Sequence, residues 1–280
     1  MRKLLSLLLA LLCLMPGTQA RAETDRPEEL LVHQIMVGCA DAYLLQYGDV
    51  SLVIDGGLND ETTPELVLTY LRAAGVEHLT AYFASHYHLD HVGNMNTILA
   101  AVGDGNTLVY GPSETMTKSL LPLGAGRYRQ LLDGDVLHYG ALTVKCVGPE
   151  RVEGEGRINK DSLNLLVTLG KRSFLFTGDY VRSKAIIDHH REEVAQVDVF
   201  KFPHHGIKNF CVDGWALKII APRHILLPGA KTWEVRRFCR QNGLSPEIYD
   251  NGDGNVVVRT DGETLEFLTQ VTPEQLMAGL

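Results

Sequence analysis

The chain has 280 residues, 45% of them hydrophobic and 21% charged, with a formal net charge of −8. That length suits one large domain or two modest ones, and the composition excludes the disordered, fibrous and coiled-coil classes. An acidic surface argues against a general nucleic-acid binder, but not against a nuclease that holds phosphate through metal ions.

Taken in order, the chain opens with Arg2 and Lys3, an apolar run from Leu4 to Met15, the break Pro16-Gly17, and small residues. This pattern predicts a secretory signal peptide over residues 1–22, cut after Ala20 or Ala22, and an exported domain over 23–280. The apolar run is short for a spanning helix, which favours this reading over its alternative, an uncleaved N-terminal anchor. A cut after Ala20 removes Arg2 and Lys3 and leaves 24 basic against 34 acidic residues, a net charge of about −10. The sequence shows no transmembrane segment beyond the leader and leaves the oligomeric state open. Four further cysteines remain, Cys39, Cys146, Cys211 and Cys239. Two disulfides are allowed in an oxidising compartment, but no CxxC pair occurs, and buried free thiols are preferred because all four border apolar runs.

Strands are predicted at Leu30–Val37, Ala42–Tyr47 and Ser51–Asp55, with glycines at the turns between them. A helix opens at Thr63 as N-cap with Pro64 at its first position, and Gly75 ends it. Leu79–Ala84 is apolar throughout, as in a strand covered on both faces. Val92–Ala101 predicts a helix, Thr107–Tyr110 a strand, and 112–132 an irregular helical cover. A hairpin follows at Val136–Tyr139 and Leu142–Val147, then strands at Leu163–Leu169, Ser173–Thr177, Val197–Phe202 and His224–Leu227. Helices are predicted at Val181–Ala195, Trp215–Ile220 and Thr232–Asn242, and the tail reads as β-hairpin. The pattern alone supports a layered α/β domain.

The densest chemistry is Ser85-His86-Tyr87-His88-Leu89-Asp90-His91, behind a predicted strand. A lone histidine on an apolar face is usually a satisfied core residue. Three imidazoles and a carboxylate at these offsets are instead a ligand set suited to zinc, iron or manganese. The motif resembles the metallo-β-lactamase superfamily, and four further stretches fall where that family places its other site residues. Ser51–Gly57 ends a strand in Asp55, which the resemblance makes an orienting residue behind the ligands. Gly178-Asp179 resembles the motif whose aspartate bridges two ions. Pro203-His204-His205-Gly206 supplies the last histidine; the resemblance leaves both imidazoles open, and His204 is preferred as ligand, with His205 as proton donor or phosphate contact.

Finer details resemble the metallo-β-lactamase domain of ComEC/Rec2-type DNA-uptake proteins and their free-standing relatives. These are Met36–Ala42 with Asp41 as a further supporting carboxylate, Asn159–Leu163, and His-His-Gly, although Ala40 and Ile207 depart from that branch's usual Gly and Ser. The resemblance implies an αββα sandwich in a single domain and two divalent ions, zinc first and manganese second. One ion would take His86, His88 and Asp179, and the other Asp90, His91, Asp179 and His204. Many relatives place another histidine between the first cluster and Gly-Asp; here only His138 is available, and it reads as structural. That absence leaves an oxygen-rich first position and fits the ComEC-like branch.

The expected activity is metal-assisted hydrolysis of a phosphodiester, with nucleic acid allowed only as substrate. Asp90 would orient or deprotonate the attacking water, and His205 or Asn159 would face the leaving group. The competing readings are an esterase, lactonase or β-lactamase, and a non-catalytic metal- or nucleic-acid-binding module. His33, His78 and His224 read as structural, His189-His190 as a solvated helical face, and Lys201 is undecided. No G-x-S-x-G, P-loop or dinucleotide motif is present.

Overall fold

The computed structural model describes residues 28–113, 127–181, 183–207, 211–229 and 231–279. The leader expected over 1–22, and residues 114–126 of the expected cover, lie outside them. Among the described residues no helix is long and apolar enough to cross a membrane.

The glycine-punctuated N-terminal strands form a meander, β1 (Leu30–Gln34), β2 (Ala42–Tyr47) and β3 (Val50–Gly56). It continues through parallel β4 (Ala81–Phe83), β5 (Leu108–Gly111) and β6 (Arg127–Gln130). A second sheet is built from β7 (Val136–Tyr139), β8 (Leu142–Cys146), β9 (Leu165–Leu169), β10 (Arg172–Phe176), β11 (Val199–Lys201), β12 (His224–Leu226) and β13 (Glu247–Tyr249). The tail strands β14 (Val256–Thr260) and β15 (Glu266–Leu268) return to the first sheet. The orders are β15-β14-β1-β2-β3-β4-β5-β6 and β13-β12-β11-β10-β9-β8-β7.

The sheets face each other across one core, where Leu45, Ile54 and Phe83 meet Val144, Val167 and Phe174. Each outer face is covered by helices. On the first sheet, α1 (Thr63–Ala73) and α3 (Met95–Val102) lay Val67, Leu71 and Ile98 over Leu44, Val53 and Tyr82. On the second, α4 (Ser183–Val194), α5 (Gly214–Ile220) and α6 (Thr232–Gln241) cover Leu175, Phe200 and Ile225. β4 is apolar throughout because both its faces are covered: Ala81 and Phe83 point inward and Tyr82 outward. The architecture is the αββα sandwich, in one domain.

Local differences from the sequence reading have physical causes. The N-cap of α1 is Thr62 rather than Thr63, which already lies in the helix with its amide donating to Asp60 Oδ1 at 2.7 Å. The helix expected over 92–101 is divided into α2 (Leu89–Val92) and α3 at Gly93-Asn94, where the Asn94 side chain donates to the Gly56 and Leu58 carbonyls. Residues 127–130 of the expected helical cover form edge strand β6, paired with β5 from Leu108–Arg127 onward. A short α7 (Pro273–Met277), opened by the Thr272 capping box, was not signalled by the hairpin-like tail. Cys146 and Cys239 are buried free thiols, whereas Cys39 is exposed and Cys211 half-buried, against the expectation that all four are inside. His190 is buried rather than solvated, with Nε2 2.6 Å from Asp133 Oδ1. His189 is exposed, with Nδ1 between Asp133 and Glu150.

His33 is fully buried on β1, with Nδ1 3.0 Å from the Tyr70 hydroxyl of α1. Burial pushes its pKa from 6.5 down to about 4, against a smaller opposing contribution from Gln46. Between those values the unfolded chain binds more protons than the folded one, so stability falls as pH drops from 6.5 to 4 and then levels for this group. Urea unfolding across that range should show an acid loss on the order of 3 kcal/mol that is absent in His33→Gln. Equal acid losses in both proteins would contradict the assignment.

Candidate metal centre

The site residues leave from one edge of the sandwich. β3 runs parallel to β4, and β10 parallel to β11, so Asp55, His86–His91, Asp179 and His204-His205 emerge at strand carboxyl ends. Asp41 precedes β2, which is antiparallel to β3, and so returns to the same edge. The turn to Asp179 needs Gly178: at φ +50, a Cβ there would stand 2.9 Å from the hydroxyls of Ser85 and Ser162. Ser162 Oγ in turn accepts from the Asp179 amide at 3.1 Å.

Two ligand groups share Asp179. Asp90, His91, Asp179 and His205 present atoms that all lie within 4.8 Å of one another, as do His86, His88 and Asp179. Asp179 Oδ1 is 3.0 Å from His91 Nε2 and 3.4 Å from His205 Nε2. Asp90 Oδ2 is 3.3 Å from His205 Nε2 and 3.9 Å from His91 Nε2. The other oxygen, Asp179 Oδ2, is 3.7 Å from His86 Nε2. Nitrogen and oxygen donors on one tetrahedral ion stand about 3.4 Å apart, which these edges bracket. His86 Nε2, His91 Nε2, His205 Nε2 and Asp179 Oδ1 are buried without a hydrogen-bond partner among the described residues. Unpaired buried donors that converge at such edges fit metal ions and little else.

The other nitrogens of His86, His88 and His91 are held from behind by hydrogen bonds, which fixes the liganding atom, and His205 Nδ1 faces Asp41. His91 Nδ1 donates to Asp55 Oδ2 at 2.7 Å. Ser85 Oγ donates to the same oxygen at 2.6 Å and lies 3.2 Å from His86 Nδ1. His205 Nδ1 is 3.2 Å from Asp41 Oδ1. His88 Nε2 is 2.8 Å from the Arg157 carbonyl, which can only accept, so its free nitrogen is Nδ1. Asp41 also pairs with Lys201, a fully buried lysine whose Nζ donates to the Gly178 carbonyl at 2.6 Å.

Four carboxylates therefore face one ammonium. Burial works against ionising Asp41, but Lys201, His205 and His91 outweigh it and hold the carboxyl down at about 2. Asp179 is likewise disfavoured by burial yet held well below the usual carboxylate range by His91, Lys201 and His205. Burial alone would lower His91; Asp55, Asp41 and Asp179 reverse this and raise it well above its ordinary value. His86 is pushed down by burial and by His91, which keeps it in the neutral, ligand-competent form. The pocket calls for cationic charge beyond what its side chains carry.

All the sequence-derived candidates but His204 and Asn159 fall within these groups. His205, rather than the preferred His204, joins Asp90, His91 and Asp179. The reason is local: His205 is buried and anchored by Asp41, while the half-buried His204 lies 3.8 Å from Asp179 Oδ2. Asn159 sits half-buried on the loop between Arg157, which holds His88, and Ser162, which holds Asp179. His138 is exposed on edge strand β7, against Thr143. The supporting roles of Ser85 and Ser162 were missed and that of Lys201 left undecided, because single serines and a lysine inside a strand carry no spacing signal.

A model of the metallo-beta-lactamase superfamily matches residues 37–229. A search of curated proteins gives no match. Among solved structures, the chain is similar to the metallo-beta-lactamase fold protein YhfI from Bacillus subtilis, at 17% identity and TM-score 0.56, over 79% of this chain and 96% of that one. It is similar to CmlA, a diiron beta-hydroxylase from Streptomyces venezuelae, at 13% identity and TM-score 0.52, over 85% of this chain and 55% of that one. It also resembles a diphosphatase from the PhnP family, at 11% identity and TM-score 0.50, over 79% and 94%. At these identities the likeness is one of fold, and the family match covers more than half of the chain: this chain belongs to the metallo-beta-lactamase superfamily.

Proposed function

We propose that the chain is an exported metal-dependent hydrolase that cleaves phosphodiesters with two divalent ions, zinc first and manganese second. The observation that carries the reading is the division of Asp179, with Oδ1 toward His91 and His205 and Oδ2 toward His86. His86, His88 and Asp179 would hold one ion, and Asp90, His91, Asp179 and His205 the other. When bound, the ions would supply Lewis-acid activation of water and neutralise charge on a phosphoryl oxygen.

The chain's own residues do the rest. Asp90 is the most exposed carboxylate of the set, with Oδ2 beside His205, and is placed to orient or deprotonate an incoming water. Asn159 is the candidate for the leaving-group side, on the loop that closes over His88. Asp41, Asp55 and Lys201 hold imidazoles and carboxylates in register and exclude water from behind. Phosphodiester chemistry is favoured by the resemblance of Met36–Ala42 and Asn159–Leu163 to ComEC-type domains; within these stretches Asp41 lies against His205 and Ser162 Oγ accepts from the Asp179 amide. The leader-like residues 1–22 support export.

Three outcomes follow. The mature chain loaded with zinc or manganese should turn over a phosphodiester in preference to a phosphomonoester or a lactam; no turnover on any of the three would sink the proposal. Asp90→Ala should lower phosphodiester turnover by about 100-fold or more with its circular dichroism unchanged. Stripping metal with a chelator should lower the Tm by roughly 10 °C, since buried carboxylates lose their counter-charge; an unchanged Tm would count against bound ions.

A further inference from the structure

His204 and His205 both adopt left-handed backbone, at φ 54, ψ 39 and φ 51, ψ 22, and Gly206 continues the turn at φ +66. Side chains larger than glycine disfavour this conformation, so two in succession need a cause. The turn is fixed on both sides. The His204 amide donates to the Gly178 carbonyl at 3.4 Å and the Ile207 amide to the His204 carbonyl at 2.9 Å. A Cβ on Gly206 would stand 2.7 Å from Leu227 and 2.8 Å from Val235.

The result is convergence. Neighbouring side chains on an extended strand point to opposite faces, whereas in this turn both imidazoles reach one carboxylate. His205 Nε2 lies 3.4 Å from Asp179 Oδ1, and His204 Nε2 lies 3.8 Å from Asp179 Oδ2. That second oxygen is the one His86 Nε2 approaches, at 3.7 Å. His204 and His86 thus stand at matching distances from one atom, close to the edge of about 3.4 Å expected for donors sharing a tetrahedral ion.

The geometry points to His204 as the residue that completes the position formed by His86, His88 and Asp179, in place of the histidine absent between Asp90 and Asp179. His138, the other histidine in that interval apart from His91, is exposed on β7. His204 Nδ1 lies 3.5 Å from Cys211 Sγ, which leaves Nε2 as the nitrogen toward Asp179. Liganding through Nε2 places the proton on Nδ1, with the Cys211 sulfur as its acceptor. The tandem motif then gives one imidazole to each ion. His204 is half-buried, and its nitrogen approaches this position from the Asp179 side.

The inference rests on the reading of the site as a pair of ion positions. It is tested on the zinc-loaded full chain by elemental analysis and by competition with a chromophoric chelator. The variants are His204→Asn and His204→Gly, which both tolerate left-handed backbone and keep the turn. Wild type should hold two ions. Each variant should keep one at wild-type affinity and bind the other at least about 100-fold more weakly. Two ions at unchanged affinity in both variants overturn the role of His204 and leave the pair intact. Fewer than two ions in wild type overturn the pair and this inference together.

Discussion

The carboxylate of Asp179 is the point on which the site depends. It is buried, it is ionised against the cost of burial, and its two oxygens face different imidazoles. A buried carboxylate in that setting is tolerable only if positive charge reaches both oxygens. Lys201 supplies one charge from behind, through Asp41 and the Gly178 carbonyl. His86, His91 and His205 each also present a buried Nε2 without a hydrogen-bond partner among the described residues, as a coordination site requires.

The sandwich exists, for function, to bring that carboxylate and its partners to one edge. Parallel β3–β4 in one sheet and β10–β11 in the other release their connecting turns on the same side. The two clusters therefore come from opposite sheets and meet above the shared core of Ile54, Phe83, Phe174 and Phe176. Behind the ligands, Asp55 reads the first sheet's cluster through Ser85 and His91, while Asp41 reads the second's through His205 and Lys201. Both supporting carboxylates come from the first sheet, Asp41 reaching across to the second sheet's residues, and Asp179 joins the two sets.

Much of this was legible beforehand. His86, His88, Asp90 and His91 are dense in sequence, and density at fixed offsets is a signal that survives without tertiary information. Asp55 and Asp179 were legible through the family resemblance of Ser51–Gly57 and Gly178-Asp179, since a strand ending beside glycine is common on its own. The choice between His204 and His205 was not legible, since adjacent residues on a strand would point apart and only the left-handed turn lets both face Asp179. Lys201 was undecided because its burial is set by Asp41, a residue 160 positions away in the chain. Strand β6 read as helix because an exposed edge strand of Arg127–Gln130 lacks the apolar alternation of a half-buried one.

The account stands on the claim that one carboxylate serves two ions. Metal content of the purified full chain, compared between wild type and Asp179→Asn with folding checked by circular dichroism, tests it most directly. Two ions per wild-type chain, with both weakened together in the variant, is the predicted result, because the amide cannot bring negative charge to either position. A variant that loses one ion and holds the other at wild-type affinity would contradict it.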